Sequence, residues 1–306
     1  MQIRPIPQQR VIEKMDEYMS RRDYAGAERH LLYWLEEAKQ VQDQRGQLMV
    51  RNELIGHFRK TGNREQALQN VEEALHLLQV LDFADSISAG TTYVNAATAC
   101  NAFGENERAM ELFEKARDVY EPHVEEPAIS DERAADAGKE PAVTGERSSC
   151  VGEEPAIAEG KTAAPGADPQ LLGGLYNNMA LTCVALAKET QTTGHGSAEW
   201  FNRAFSLYEK ALEQMRHVPN GELEQAITYL NMADALEGRD GPEAAEHQIS
   251  ELLDIAYDFL QTPSVPRDGY YAFVCEKCAP TFSYYGYFLA AEELQKQAET
   301  IYARPG

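Results

Sequence analysis

Apolar and small residues recur at a regular spacing along this chain. A small or apolar residue on one predicted helix is followed twelve positions later by an alanine on the next, and the pair returns about every 40 to 46 residues. The pairs are Ile55 and Ala67, Ala97 and Ala109, Ala233 and Ala245, and Ala279 and Ala291, with Met15 and Ala27 as a looser first copy and Ala180 and Ala204 as a copy stretched by twelve residues. Such a period is typical of a solenoid, in which each helix pair buries its apolar face against its neighbours.

The segments around the second alanine predict a helix end, a short turn and a new amphipathic helix. Gly62–Leu68 reads Gly-Asn-Arg-Glu-Gln-Ala-Leu and is echoed by Gly104–Met110, where glycine ends the first helix of the pair. Seven positions after each alanine comes another apolar or small residue, which returns to the same helix face and should pack against the preceding helix. These positions are Trp34, Ala74, Ala116, Ala211, Leu252 and Ala298.

Four short motifs resemble the tetratricopeptide repeat family: Tyr176–Ala180, Tyr229–Ala233, Tyr93–Ala97 and Tyr208–Leu212. The resemblance covers nearly all of residues 10 to 303 outside one insertion, and the spacing is similar to the version of about 42 residues found in kinesin light chains and many bacterial regulators. It implies an all-α, right-handed superhelical solenoid of about six helix-turn-helix repeats. The first and last copies are degenerate, as capping repeats usually are, and the family's proline after the second helix is mostly absent.

Residues 122–169 interrupt the helical pattern. Three units of fourteen residues begin at Glu125, Lys139 and Glu153, proline recurs, aromatic residues are absent, and acidic residues outnumber basic ones. Such a segment buries too little apolar area to offset the entropy lost on folding, so we expect a disordered acidic linker. It divides the chain into repeats 1–3 (residues 1–121) and repeats 4–6 (residues 170–306). It is either an insertion looped out between repeats or a hinge between two halves, and either a neutral duplication or a tether that attracts a partner.

The net charge of −22 argues against a nucleic-acid partner and disfavours anionic membranes, because binding to both relies on clustered Lys and Arg. The charge serves solubility or attracts a basic partner. The longest apolar run, Met179–Ala187, is about half the length of a membrane span, and no secretory signal follows Met1. We therefore expect a cytoplasmic protein.

Catalytic and metal-binding patterns are absent from the sequence. It contains no phosphate-binding glycine loop, no His-Glu-x-x-His and no Gly-x-Ser-x-Gly, and its seven histidines are scattered through different repeats. Cys275 and Cys278 have the spacing of a metal or redox pair, but Cys278 falls where the repeat requires a buried residue, just before Ala279, and no second pair or histidine cluster is near in sequence. We therefore interpret both as core residues. We predict a protein that is not an enzyme and that uses no metal or cofactor.

The first helix of each pair carries the clearest binding signal. In the family that the chain resembles, these helices line the concave groove. Asn95, Asn178 and Asn231 each lie two residues before the small packing residue, and Asn52 is one position out of phase. A row of side-chain amides can pair with the backbone of an extended peptide, as in the asparagine ladder of peptide-binding members. The alternative is that asparagine is simply common at this position.

Six neighbouring positions, one helical turn along, would tune selectivity for a peptide. They are Arg59, Thr98, Asn101, Asn177, Asp234 and Lys277. The family's co-chaperone members clamp a terminal carboxylate with basic residues on consecutive first helices. Asparagine without these basic partners does not support such a clamp here.

These observations predict a non-catalytic adaptor whose groove binds a protein or peptide partner. The alternative is a structural subunit that self-associates, or braces a larger complex, through its aromatic C-terminal repeat. An enrichment of aromatic residues is typical of interface cores, although packing within the repeat also explains it. The aromatic residues are Tyr270, Tyr271, Phe273, Phe282, Tyr284, Tyr285, Tyr287 and Phe288.

Overall fold

The computed structural model describes residues 4–84, 86–121, 168–191 and 196–304. These residues form twelve α-helices and no strand, as the repeat pattern predicts. The helices are α1 (Gln8–Ser20), α2 (Tyr24–Gln40), α3 (Gln44–Thr61), α4 (Arg64–Val80), α5 (Ile87–Ala102), α6 (Asn106–Tyr120), α7 (Pro169–Gln191), α8 (Ser197–Met215), α9 (Glu222–Asp240), α10 (Pro242–Leu260), α11 (Gly269–Tyr284) and α12 (Phe288–Tyr302).

The helices pack as six consecutive pairs, α1 with α2 through α11 with α12. All twelve residues of the predicted small or apolar pairs are buried, one on each helix. Of the positions seven residues later, Ala74, Ala116, Ala211 and Ala298 are also buried, whereas Trp34 and Leu252 are only partly covered. The predicted register is therefore confirmed, and the small residues lie where neighbouring helices approach one another.

Local sequence fixes the helix ends. The side chains of Asp23, Asp43 and Asn63 each accept a hydrogen bond from the backbone amide three residues later, which caps α2, α3 and α4. Gly62 ends α3 with φ +74°, a left-handed conformation that glycine adopts without strain. The residue type alone predicts Ser197 as the N-cap of α8. This prediction is wrong, because Gly196 is the N-cap residue and Ser197 is the first residue of the helix.

The helices form two layers. The backbones of consecutive odd-numbered helices approach closely, α3 with α5, α5 with α7, α7 with α9 and α9 with α11. In the described part of the chain, consecutive even-numbered helices are farther apart and meet through long side chains, such as Arg203 of α8 and Glu114 of α6. The odd-numbered helices are therefore the inner layer, and the even-numbered helices are the outer layer. The apolar core runs between the two layers.

The helix stack continues across the insertion. Helix α6 packs on α7, Tyr176 Oη donates to Glu121 Oε1 at 2.6 Å, and Arg203 Nη2 donates to Glu114 Oε1 at 2.6 Å. One apolar cluster contains residues of both α6 and α7. The predicted disordered linker lies outside the described residues over positions 122–167, and α7 already begins at Pro169, the last residue assigned to that linker.

Candidate functional site

The asparagines predicted to hold a peptide all lie on the inner layer, but they do not form a uniform row. Asn52 of α3 is buried, and its Nδ2 donates to Thr92 Oγ1 of α5 at 3.0 Å. Its Oδ1 is also buried and accepts no hydrogen bond within the described residues. Asn52 therefore joins two neighbouring repeats rather than facing a ligand with both ends of its amide.

Asn95 of α5 has a different environment. The residue is half-buried, and its Nδ2 is buried without a hydrogen-bond partner among the described residues. Nothing there holds the amide in one orientation, so a half turn about its terminal torsion would present Nδ2 to the open side. Asn178 of α7 is likewise half-buried, and its side chain makes no hydrogen bond to a described residue. These two amides are the most available of the predicted set.

Asn177 and Asn231 bond to each other across the inner layer. Asn231 Nδ2 of α9 donates to Asn177 Oδ1 of α7 at 3.0 Å. The Thr228 hydroxyl approaches the same oxygen at 3.4 Å. This pair ties repeat 4 to repeat 5 and leaves Asn231 Oδ1 and Asn177 Nδ2 as the amide atoms that a ligand could use.

Thr98 and Asn101 are satisfied within their own repeat. The Thr98 hydroxyl donates to the Val94 carbonyl at 2.6 Å, and Asn101 Nδ2 donates to Asn106 Oδ1 at 2.8 Å. Asn106 Nδ2 in turn donates to Glu189 Oε1 of α7 at 2.7 Å. Thr98 and Asn101 are therefore less available to a ligand than their spacing predicts. Arg59, by contrast, is exposed near the end of α3.

Tyrosine and carboxylate side chains meet where α9 packs on α11. Tyr285 Oη donates to Asp234 Oδ1 at 3.0 Å and lies 2.9 Å from Glu237 Oε2. Tyr284 Oη donates to Glu237 Oε1 at 2.9 Å, and Tyr270 Oη donates to Glu224 Oε1 nearer the start of α9. The inner layer is therefore acidic in this part of the chain.

The protonation of these carboxyl groups reflects their surroundings. Desolvation raises the pKa of Glu224 above its ordinary value, and the positive charge of Lys277 opposes this. Desolvation is also the main cause that raises the pKa of Asp234, whereas the Tyr285 hydroxyl and the charge of Lys188 lower it. Lys277 is exposed on α11. A cationic ligand would favour the charged form of both carboxyl groups.

Buried polar residues on α3 escaped the sequence analysis. Arg51 is buried, and its Nη1 donates to Asn70 Oδ1 of α4 at 2.9 Å. His57 is buried, with its Nε2 3.6 Å from Glu28 Oε2, and desolvation lowers the pKa of His57. The Tyr270, Tyr284 and Tyr285 contacts escaped it too, although these residues belong to the predicted aromatic set. The one sequence signal for these contacts is that the tyrosines follow an inner helix, α9, that carries acidic residues.

The four cysteines in the described part of the chain lie in the core. Cys100, Cys183, Cys275 and Cys278 are free and buried. Burial raises the pKa of the Cys278 thiol to about 12 and also raises the pKa of Cys275. Among the residues described, no group of three or more His, Cys, Asp and Glu side chains could hold a metal ion, and no helix is both long and apolar enough to cross a bilayer.

Comparison with known proteins places part of the chain in one family. Residues 47–121, which span α3 to α6, match the family model of the tetratricopeptide repeat. No curated protein matches the chain. Among solved structures, BtubC (BKLC) from P. vanneervenii is similar at 17% sequence identity, with 94% of each chain covered and a TM-score of 0.47. Repeats of this family generally mediate protein–protein interaction. Residues 47–121 therefore match the tetratricopeptide repeat, and the helix pairs on either side of them are buried in the same predicted register.

Proposed function

We propose that this chain is a non-catalytic adaptor that binds an extended peptide segment of a partner protein along the inner layer. The observation that carries the proposal is the state of Asn95 and Asn178. Both amides are half-buried on neighbouring inner helices and make no hydrogen bond to a described side chain or backbone group. A peptide backbone offers both the donor and the acceptor that such amides lack.

The paired asparagines support this arrangement in a different way. The Asn52–Thr92 and Asn231–Asn177 hydrogen bonds fix neighbouring inner helices relative to each other. A preorganised groove loses less entropy on binding than one that must be ordered by its ligand. We therefore assign Asn95, Asn178 and the open ends of Asn177 and Asn231 to peptide binding, and we assign Asn52 to the spacing of the groove.

Charge favours a basic partner. Glu224, Asp234 and Glu237 lie on α9, where tyrosine hydroxyls hold them in place, and the chain as a whole carries a net charge of −22. Lys188 and Lys277 offset part of this local charge. A peptide with Lys or Arg would gain both long-range attraction and short-range pairing at this end of the groove.

The experiment is a selection from a displayed peptide library, followed by calorimetry with the selected peptide. Replacing Asn95, Asn178 and Asn231 together with alanine should weaken binding by about 3 kcal/mol, roughly 150-fold, if each amide contributes about 1 kcal/mol. The matched control is Gln69→Ala, Asn202→Ala and Gln295→Ala, three exposed amides on the outer helices α4, α8 and α12. Equal affinities of the two triple variants would remove the groove as the binding site.

A second candidate function, self-association, rests on one exposed apolar patch. Tyr284, Phe288 and Leu289, at the turn between α11 and α12, are 69%, 67% and 83% exposed. Three large apolar side chains together are unusual on a surface without a partner. If two copies meet there, light scattering should give a dimer mass for the native chain and a monomer mass for Leu289→Glu. A monomer mass for the native chain at high concentration would exclude this candidate.

Two expectations from the sequence remain proposals. We propose a cytoplasmic location, to which the free, buried thiols are suited. We also propose the division into repeats 1–3 and 4–6, with the qualification that α6 and α7 share one apolar cluster. Limited proteolysis within residues 122–167 followed by gel filtration would test the division, since the two fragments should stay associated if the shared cluster holds them.

A further inference from the structure

A contact joins the two ends of the repeat array. Arg22, in the turn between α1 and α2, donates from Nη2 to Glu276 Oε1 of α11 at 2.8 Å. Its guanidinium carbon lies 5.6 Å from the centroid of the Tyr302 ring on α12. These residues belong to the first and last helix pairs, and Arg22 and Glu276 are 254 positions apart in the sequence.

The receiving pair has the composition of a guanidinium-binding site. Glu276 supplies a carboxylate, and Tyr302 supplies an aromatic face. The Tyr302 hydroxyl also approaches Glu276 Oε2 at 3.4 Å, which sets the two groups beside each other. Arginine is better suited to such a pair than lysine, because its planar cation can stack on a ring while its N–H groups bond to a carboxylate.

We propose that Glu276 and Tyr302 form an arginine-binding site, which the chain's own Arg22 occupies and thereby closes the repeat array end to end. An arginine side chain of a partner protein takes the place of Arg22 and opens the array. This inference goes beyond the peptide groove and uses none of its asparagines. It adds a second point of contact for a basic partner and makes the separation of the two ends depend on binding.

The contact is weak enough to be displaced. The side chains of Arg22 and Glu276 are 62% and 49% exposed, so water and salt screen their attraction. An exposed ion pair and an exposed cation–π contact together favour the closed form by about tenfold. A competing arginine that makes the same contacts can therefore shift the population.

The first experiment measures the separation of the ends by energy transfer between fluorophores. They are attached through azide-bearing residues introduced at the exposed positions Gln9 on α1 and Gln295 on α12. Arg22→Glu should lower the ratio of closed to open chains about tenfold, and Glu276→Arg should do the same. The double variant, with the charges exchanged, should recover most of it. Arg21→Glu is the matched control, since it changes the same charge in the same turn while its native partner is Glu17.

Equal transfer efficiency in Arg22→Glu and Arg21→Glu would overturn the closure, as would a double variant that stays open. The second experiment adds N-acetyl-arginine amide or N-acetyl-lysine amide to the native chain at equal ionic strength. The arginine compound should open the array at lower concentration than the lysine compound, and Tyr302→Leu should abolish the difference. Identical curves for the two compounds, or no opening by either, would overturn the arginine site. The groove variants Asn95→Ala and Asn178→Ala, whose amides hold no neighbouring inner helix in place, should leave both measurements unchanged, so failure here is distinguishable from failure of the groove proposal.

Discussion

Two asparagines on the inner layer should respond in opposite ways to the same substitution. Asn231 donates to Asn177 Oδ1 at 3.0 Å, whereas Asn95 Nδ2 is buried and has no hydrogen-bond partner among the described residues. Asn231→Ala removes a made bond and leaves Asn177 Oδ1 with only the long 3.4 Å approach of Thr228. Asn95→Ala removes a polar group whose burial is uncompensated.

The magnitudes follow from these environments. Loss of one neutral hydrogen bond lowers the free energy of unfolding by about 1 kcal/mol, and a poorly satisfied oxygen left behind adds to the loss, so we expect about 1 to 2 kcal/mol for Asn231→Ala. Removal of the unpaired Asn95 amide recovers part of its burial cost, against a small loss of contacts, so we expect between no change and a gain of about 1 kcal/mol. For a chain of this size 1 kcal/mol corresponds to about 2 to 4 °C in melting temperature.

Urea unfolding followed by circular dichroism measures both changes, with equal slopes required for the comparison. Asn202→Ala, at an exposed position on α8, is the control for loss of an amide in a helix. If Asn95→Ala destabilises the chain as much as Asn231→Ala, then the Asn95 amide is already bonded in the free protein. The observation that carries the groove proposal would then be wrong.

Four further predictions concern packing, the insertion and pH. Gly90→Ala should destabilise the chain by about 1 to 3 kcal/mol in thermal melts, because a Cβ there would lie 2.2 Å from Tyr120 Cε1. Gly174→Ala should instead stabilise the chain by about 0.5 to 1 kcal/mol, because no neighbouring atom lies within 4 Å of the added Cβ. Ala180→Leu should cost about 1 to 3 kcal/mol, since the site is fully buried, and an unchanged melting temperature would contradict the helix register. Deleting residues 125–166, three whole units, should leave the number of helical residues in the circular dichroism spectrum unchanged, because loop closure depends weakly on length. The pKa of Glu224 is raised above 4.5 in the folded chain, so folding takes up protons. The free energy of unfolding should therefore fall as pH rises through that raised pKa. Glu224→Gln should flatten this pH dependence, and Glu222→Gln should not.

Contacts within one repeat were predictable because they depend only on helix period and residue size. Ala97 and Ala109 are both fully buried, as are Ala180 and Ala204 despite the longer turn between them. A helix of fixed rise and period returns to the same face without regard to the rest of the chain. The capping glycine Gly62 follows from the same local logic, since its left-handed backbone needs no tertiary support.

The turn before α8 shows where that local logic fails. Serine is a favoured N-cap, and Ser197 precedes an amphipathic segment, yet Gly196 takes the cap position with φ +89°. The left-handed backbone of Gly196 outweighed the side-chain preference, because positive φ values favour glycine. Sequence patterns seldom determine the first residue of a helix to within one position.

Contacts between inner helices of different repeats depend on the offset and rotation of one repeat relative to the next, which a repeat pattern does not determine. Asn231 and Asn177 both belong to the predicted set, but the hydrogen bond between them depends on how far α9 is offset along α7. The Arg51–Asn70 hydrogen bond lies within one repeat, between α3 and α4, and the sequence analysis missed it because arginine is rarely buried.

The contact between Arg22 and Glu276 depends on the summed rotation of five successive steps from one helix pair to the next. A small change at each step accumulates along a solenoid, so the ends meet only at one particular curvature. The composition of each repeat constrains its own packing and that of its neighbours, but it constrains this sum weakly. The Arg22–Glu276 contact depends on all five steps, and it changes the ratio of closed to open chains only about tenfold. It is therefore sensitive to any ligand that binds along the inner layer. A ligand that changes the offset between any two inner helices changes the separation of the ends as well.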